Sequence, residues 1–205
     1  ARQQLVPLLA DFARQYPEVR IELDLSDRLA SLATEGFDLA IRHSATAPDT
    51  HVAWTLCETQ SVLVATRAYL SRMGSPQQPQ ELLGHNCLHY PRSQDRPAWT
   101  LEKRDPAGQE RVTVQISGSL AANNSEALRD AALAGLGIAL LPDFSAQAGL
   151  QADELVRVLP DWTPVDSFAG QLHAIRPYSA HVPRAVSALV AFLRERLAPG
   201  FGAGL

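Results

Sequence analysis

Residues 85–89 read HNCLH. On a strand, His85, Cys87 and His89 would share one face, because side chains alternate, and two imidazoles with a thiolate form a soft-metal ligand set. No fourth ligand stands near them in sequence, and zinc sites carry clearer spacing. The expectation is no metal and no cofactor. A second stretch, AALAGLGIALLPDF (131–144), holds the pair Gly135 and Gly137. A dinucleotide fingerprint runs strand, glycines, helix, so that pyrophosphate meets a helix N-terminus. Here the helix comes first, and the glycines lie at its carbonyl end, where the dipole repels anions. Gly135 suits a left-handed C-cap, and Gly137 lets the next strand leave close beside the helix.

The anion-friendly end of that helix is ANNSEALRDAALAG. Asn123 is a candidate N-cap with Glu126 three residues on, as in a capping box. Free N–H groups there, with Asn124 and Ser125 beside them, suit a carboxylate, and plain capping accounts for the same residues. GxSxG, HExxH and P-loop motifs are absent, and no convincing Ser/His/Asp set appears. These absences argue against an enzyme.

The elements that must hold such residues follow from periodicity. Leu5, Leu8, Leu9, Phe12 and Tyr16 share a helical face, with Pro7 tolerable in the first turn. PEVRIELDL alternates like a half-buried strand, Ser26 or Asp27 caps a helix ending near Gly36, and FDLAI (37–41) reads as a strand buried on both faces. This helix–strand–helix–strand order predicts parallel pairing. SVLVAT (61–66), NCLHY, WTLEK, RVTVQI, residues 138–141, LVRVLP and GQLHAI read as further strands. SRMGSPQQPQ and RSQDRPAW read as loops. Helices are expected from about Ser125, after Pro142, and over VPRAVSALVAFLRERL, whose apolar stripe runs from Val182 to Leu197. The tail APGFGAGL reads as frayed.

The 205 residues suffice for one domain or two small lobes. No apolar run reaches the ~20 residues of a membrane span, so no membrane partner is expected. A net charge of −4, with Lys103 the only lysine, argues against nucleic-acid binding by this segment itself. Cys57 and Cys87 make no disulfide framework and fit buried thiols in a cytoplasmic protein. ARQQLVPLLADF opens the chain with neither Met nor a signal-peptide pattern, so part of the protein is expected to be absent.

YPEVRIELDLSDRLASLATEGFDLAIR, SVLVATRAYL, ELLGHNCL and NNSEALRDAALAGLGIALLPDF, followed by VRVLPDW and LHAIRPYSAHVPRAVSALVAFL, together resemble the effector-binding domain of LysR-type transcriptional regulators. The resemblance runs from about residue 4 to 197. It implies an α/β, two-lobed periplasmic-binding-protein-like fold, each lobe a central mostly parallel sheet flanked by helices, the lobes joined by two crossover strands. Lobe I maps to 1–66 with 167–205, its first strand missing, and lobe II to 67–166. The family's winged helix-turn-helix is absent.

The resemblance also implies a small-molecule effector, a small organic acid by the residue types, held between the lobes and altering DNA binding by the oligomer. Its candidate contacts are Ser26, Asp27, Arg42, His43 and Thr66 from lobe I, with Tyr90, Pro91, Asn123 and Asn124 from lobe II. Asp38 or an interface acid is an alternative partner for Arg42, and simple exposure an alternative for His43. Implied partners are a homodimer or homotetramer, with the helix at 27–35 in the interface, promoter DNA through the missing N-terminal domain only, and RNA polymerase. A periplasmic solute-binding protein shares the fold and is the alternative.

Overall fold

The computed structural model describes residues 2–26, 36–44, 51–91, 96–105, 108–179 and 181–201. Along it run α1 (Arg2–Gln15), β1 (Ala40–His43), β2 (His51–Glu58), β3 (Ser61–Ala65), α2 (Arg67–Met73) and a 3-10 turn (Pro79–Gly84). Then come β4 (Cys87–Leu88), β5 (Ala98–Asp105), β6 (Gly108–Gln115), α3 (Ser125–Leu133), β7 (Ile138–Pro142) and α4 (Asp143–Gln151). The chain closes with β8 (Val156–Arg157), β9 (Thr163–Val165), β10 (Gln171–Pro177) and α5 (Arg184–Leu197). Two units result: residues up to Thr59 with those from Ala169, and Gln60–Phe168. The sequence assigns 61–66 to the first lobe; β3 instead pairs with β7 and β8 inside the second unit. An apolar strand announces its burial but not which sheet receives it.

In the first unit, β10 lies between β1 and β2 and is antiparallel to both. Its Leu172, Ala174 and Ile175 are buried. α5 packs on β2 and α1 on α5, where Phe12 meets Phe192 edge-on at 5.5 Å and stacks on Tyr16 at 4.6 Å. The predicted face of α1 is the inward one, although the helix starts at Arg2 and takes Pro7 inside it.

Three expectations change here. Residues 17–26 pair with no described strand, and Ile21, Leu23 and Leu25 are exposed: alternation supplies a strand's pattern, but a strand needs a neighbour for its backbone groups. The FDLAI strand starts late, at Ala40, runs to His43 and is only half-buried. Its partner is the distant β10, antiparallel, rather than a parallel neighbour. The helix expected over 27–35 lies outside the described residues. At the other end Phe201 is buried, so the tail is anchored at least that far.

The second unit is built on β4-β7-β3-β8. Here β4–β7 is the parallel ladder among the described strands; the other ladders are antiparallel, not mostly parallel as the sequence suggests. Both faces of β3 and β7 are covered. Leu63, Ala65, Ile138 and Leu140 join Trp99, Leu101 and Val114 of the β6-β5-β9 sheet. Val62, Val64, Ala139 and Leu141 join Leu128 and Ala132 of α3 and Ala146 of α4. Double coverage explains why both strands are continuous apolar runs.

The glycine pair is structural. Gly135 has φ of 73°, its N–H donates to Ala132 O, and Leu136 N–H donates to Ala131 O, a Schellman closure of α3. A Cβ on Gly137 would stand 2.1 Å from the Asn86 carbonyl oxygen, so the close approach is to the segment leading into β4 rather than to the helix. Asp143 ties α4 to the start of β3. Its carboxylate accepts from Gln60 N–H at 2.9 Å and Phe144 N–H at 2.8 Å, while its own N–H donates to Gln60 O. Burial pushes this carboxyl up despite those hydrogen bonds.

Candidate functional site

A cavity of about 260 Å³ opens within the second unit. Its walls are His89, Tyr90 and Pro91 after β4, Arg96 to Trp99 at the start of β5, Leu140 of β7, and Asp166, Ser167 and Phe168 after β9. Tyr90 and Phe168 meet edge-to-face, with centroids 5.6 Å apart. Asp166 adopts a left-handed φ of 59°, a conformation an Asp tolerates better than most residues, and so turns the chain from β9 toward Phe168. Its carboxylate pairs with Arg111, which also holds Glu102 at 2.8 Å. Arg96 is exposed and forms no hydrogen bond or ion pair with the described residues. His89 Nδ1 lies 3.1 Å from Cys87 O; a carbonyl only accepts, so Nδ1 is the donor there and Nε2 is the ring nitrogen left to meet a ligand.

Of the residues the sequence nominates, Tyr90 and Pro91 come together in this cavity. Arg42 and His43 sit side by side on β1 in the first unit. His43 Nε2 is 2.8 Å from Thr59 Oγ1, which in turn donates to Ala169 O, so this imidazole is engaged rather than merely exposed. Ser26 ends the exposed stretch 17–26, and Asp27 lies outside the described residues. Thr66 is the N-cap of α2, accepting from Tyr69 N–H at 3.2 Å. It stands beside Gly135, at the opposite end of α3 from Asn124. The N-cap of α3 is Asn124, not Asn123, and accepts from Glu126 N–H at 2.9 Å and Ala127 N–H at 3.1 Å. Glu126 is therefore one position too early for a capping box. Asn123 is exposed just before the cap.

Several groups escaped the sequence reading. Arg96, Ser167 and Phe168 are brought to the cavity by loops that carry no pattern. Register places Arg42, His173 and Thr55 in one row across β1, β10 and β2, with Thr55 Oγ1 3.4 Å from His173 Nδ1. The HNCLH stretch divides. His85 precedes β4, is buried, and has its Nδ1 3.2 Å from Tyr69 Oη, a hydroxyl that accepts from Asn86 N–H at 3.0 Å. Burial lowers the His85 pKa. The Cys87 thiol, aimed at Leu82 O, is pushed up to about 12 by burial; Cys57 is likewise buried and in no disulfide.

Residues 1–198 match the model of the LysR substrate binding domain. The chain belongs to that family. This effector-binding domain is 33% identical over 199 residues to the probable HTH-type transcriptional regulator LtrA of Klebsiella pneumoniae, covering 97% of this chain and 62% of that protein. It is 34% identical over 193 residues to the HTH-type transcriptional regulator PtxR of Pseudomonas aeruginosa, covering 92% and 58%. The chain thus spans about three fifths of the length of these curated relatives. Among solved structures, the regulatory domain of CrgA, a LysR-type transcriptional regulator from Neisseria meningitidis, superposes with a TM-score of 0.80 at 27% identity, covering 95% of this chain and 92% of that one. Full-length AphB, the Vibrio cholerae virulence activator, gives 0.75 at 27% identity, covering 97% and 63%. The fold is thus that of LysR-type regulatory domains, periplasmic-binding-protein-like. Matches to transcriptional regulators disfavour the solute-binding alternative. No helix among the described residues is long and apolar enough to cross a membrane.

Proposed function

We propose that this chain is the sensing part of a bacterial LysR-type transcriptional regulator that acts in the cytoplasm, and that the cavity of the second unit receives its effector, a small organic acid. The observation that carries this reading is the cavity itself: aromatic walls, with Arg96 left without a protein partner among the described residues. A guanidinium recognises a carboxylate through its planar fork. Effector binding changes activity to the extent that it favours one conformation of the regulator over another. Promoter DNA and RNA polymerase are engaged by the assembled homodimer or homotetramer, DNA through an N-terminal region, in keeping with the net negative charge of this chain.

A panel of small carboxylic acids tested by thermal denaturation checks this reading. Ligand at a hundredfold excess over its Kd stabilises by about 2.7 kcal/mol, and Ala98→Trp, which fills the cavity, abolishes that shift. A panel in which no acid raises Tm, or a shift that survives Ala98→Trp, overturns the proposal.

A further inference from the structure

Resting on that reading of the cavity, the geometry points to a narrower ligand: a single aromatic ring that carries both a carboxylate and a hydroxyl group. Three features of the wall converge on it. Tyr90 and Phe168 line the cavity with their ring planes at 89° to one another, and Trp99 is a third aromatic residue of the wall. Aromatic partners favour edge-to-face and offset-stacked contacts, which a flat ring can make with such walls and a saturated chain or ring cannot. At about 260 Å³ the space falls just under the ~300–1,000 Å³ of ordinary ligand clefts, which suits one ring rather than a fused system.

The polar groups are of two kinds. Arg96 brings donors and positive charge, fitting a carboxylate. The acid on the wall, Asp166, is turned onto Arg111, which it shares with Glu102, and this pairing reduces its opposition to an anion. His89 is the group that separates a hydroxylated acid from a plain one. Its Nδ1–H is committed to Cys87 O, so Nε2 is the ring nitrogen left for a ligand, and in the tautomer this fixes it accepts from a hydroxyl. A carboxylate would repel its lone pair, whereas a hydroxyl satisfies it. A ligand without a hydroxyl leaves Nε2 unpaired once water is displaced, and a site built to hydrogen-bond a group discriminates strongly against ligands that lack it.

Calorimetric titration of the 205-residue chain tests this with four probes: 3-hydroxybenzoate, 4-hydroxybenzoate, benzoate and cyclohexanecarboxylate. At least one hydroxybenzoate binds tenfold or more tighter than benzoate, and benzoate tighter than cyclohexanecarboxylate. His89→Phe removes the hydroxyl preference while benzoate still binds, with His89→Leu as a second variant should the first fail to fold. Arg96→Gln weakens every acid tenfold or more. If cyclohexanecarboxylate binds as well as the aromatic acids, or the hydroxyl preference survives both His89 variants, the inference is wrong while the acid-binding reading stands. If aliphatic acids bind and these four do not, the inference again fails alone. If no carboxylic acid binds, both fall.

Discussion

In the second unit, buried polar groups meet partners. Asp143 is held by backbone N–H groups, Ser145 Oγ lies 2.8 Å from Ser125 Oγ, Arg129 pairs with Asp130 at 2.7 Å, and His85 Nδ1 lies 3.2 Å from the Tyr69 hydroxyl. In the first unit, Ser44 Oγ, His173 Nε2, and Nε and Nη1 of Arg176 are buried with no hydrogen-bond partner. An unpartnered buried polar group costs about 1–3 kcal/mol, and a charged one more. The Ile21, Leu23 and Leu25 row of the first unit is also left on the surface, while β3 and β7 of the second are covered on both faces. The two halves of one domain are therefore stabilised differently: the second by a closed double core, the first by a small three-stranded sheet that carries polar groups without compensation.

The strongest way to break this contrast is to spoil the double core. Gly137→Ala forces a Cβ against the Asn86 carbonyl, which is backbone and cannot swing away. A loss of about 3 kcal/mol or more is expected in urea denaturation. A loss under about 1 kcal/mol would mean the packing around β4 is slack and the contrast overstated.

Next comes a change that narrows the contrast from the other side. Arg176 is 7% exposed, and among the described residues its side chain makes one hydrogen bond, to His181 O at 3.4 Å. Arg176→Met keeps much of the side-chain volume and removes an uncompensated charge, so stability rises by about 2 kcal/mol in the same assay. A fall of similar size would show that the guanidinium is compensated after all.

The smallest effect is one of pH and bears on the second unit. The His85 ring is buried beside the Tyr69 hydroxyl, 3.2 Å from its Nδ1, and burial, which disfavours the charged ring, lowers the His85 pKa below its ordinary 6.5. The unfolded chain therefore takes up a proton at a higher pH than the folded one, and stability falls as pH drops through that interval. Tm measured from pH 7.5 down to about 5.5 declines, and the decline is shallower in His85→Phe. Equal slopes would remove His85 from the account and leave the second unit's polar groups satisfied across that range.

The sequence by itself determined what depends on near neighbours. The apolar face of α1, the buried runs of β3 and β7, the β5–β6 pair, the stripe of α5 and the role of Gly135 were all legible, because helix period, strand coverage and capping are set within a few residues. The family was legible too, since the quoted segments preserve order and spacing. Tertiary structure alone decided the rest. Which sheet takes β3, that 17–26 finds no described partner, and that Arg42 shares a row with His173, more than a hundred residues away, all depend on pairing between distant segments. So does the cavity: Tyr90 and Pro91 were nominated from the sequence, but Arg96 and Phe168 reach them only because β5 and β9 pair in one sheet. Local patterns fix the elements. A binding site assembled from the loops between them has no period to read, and only the folded sheets bring its residues together.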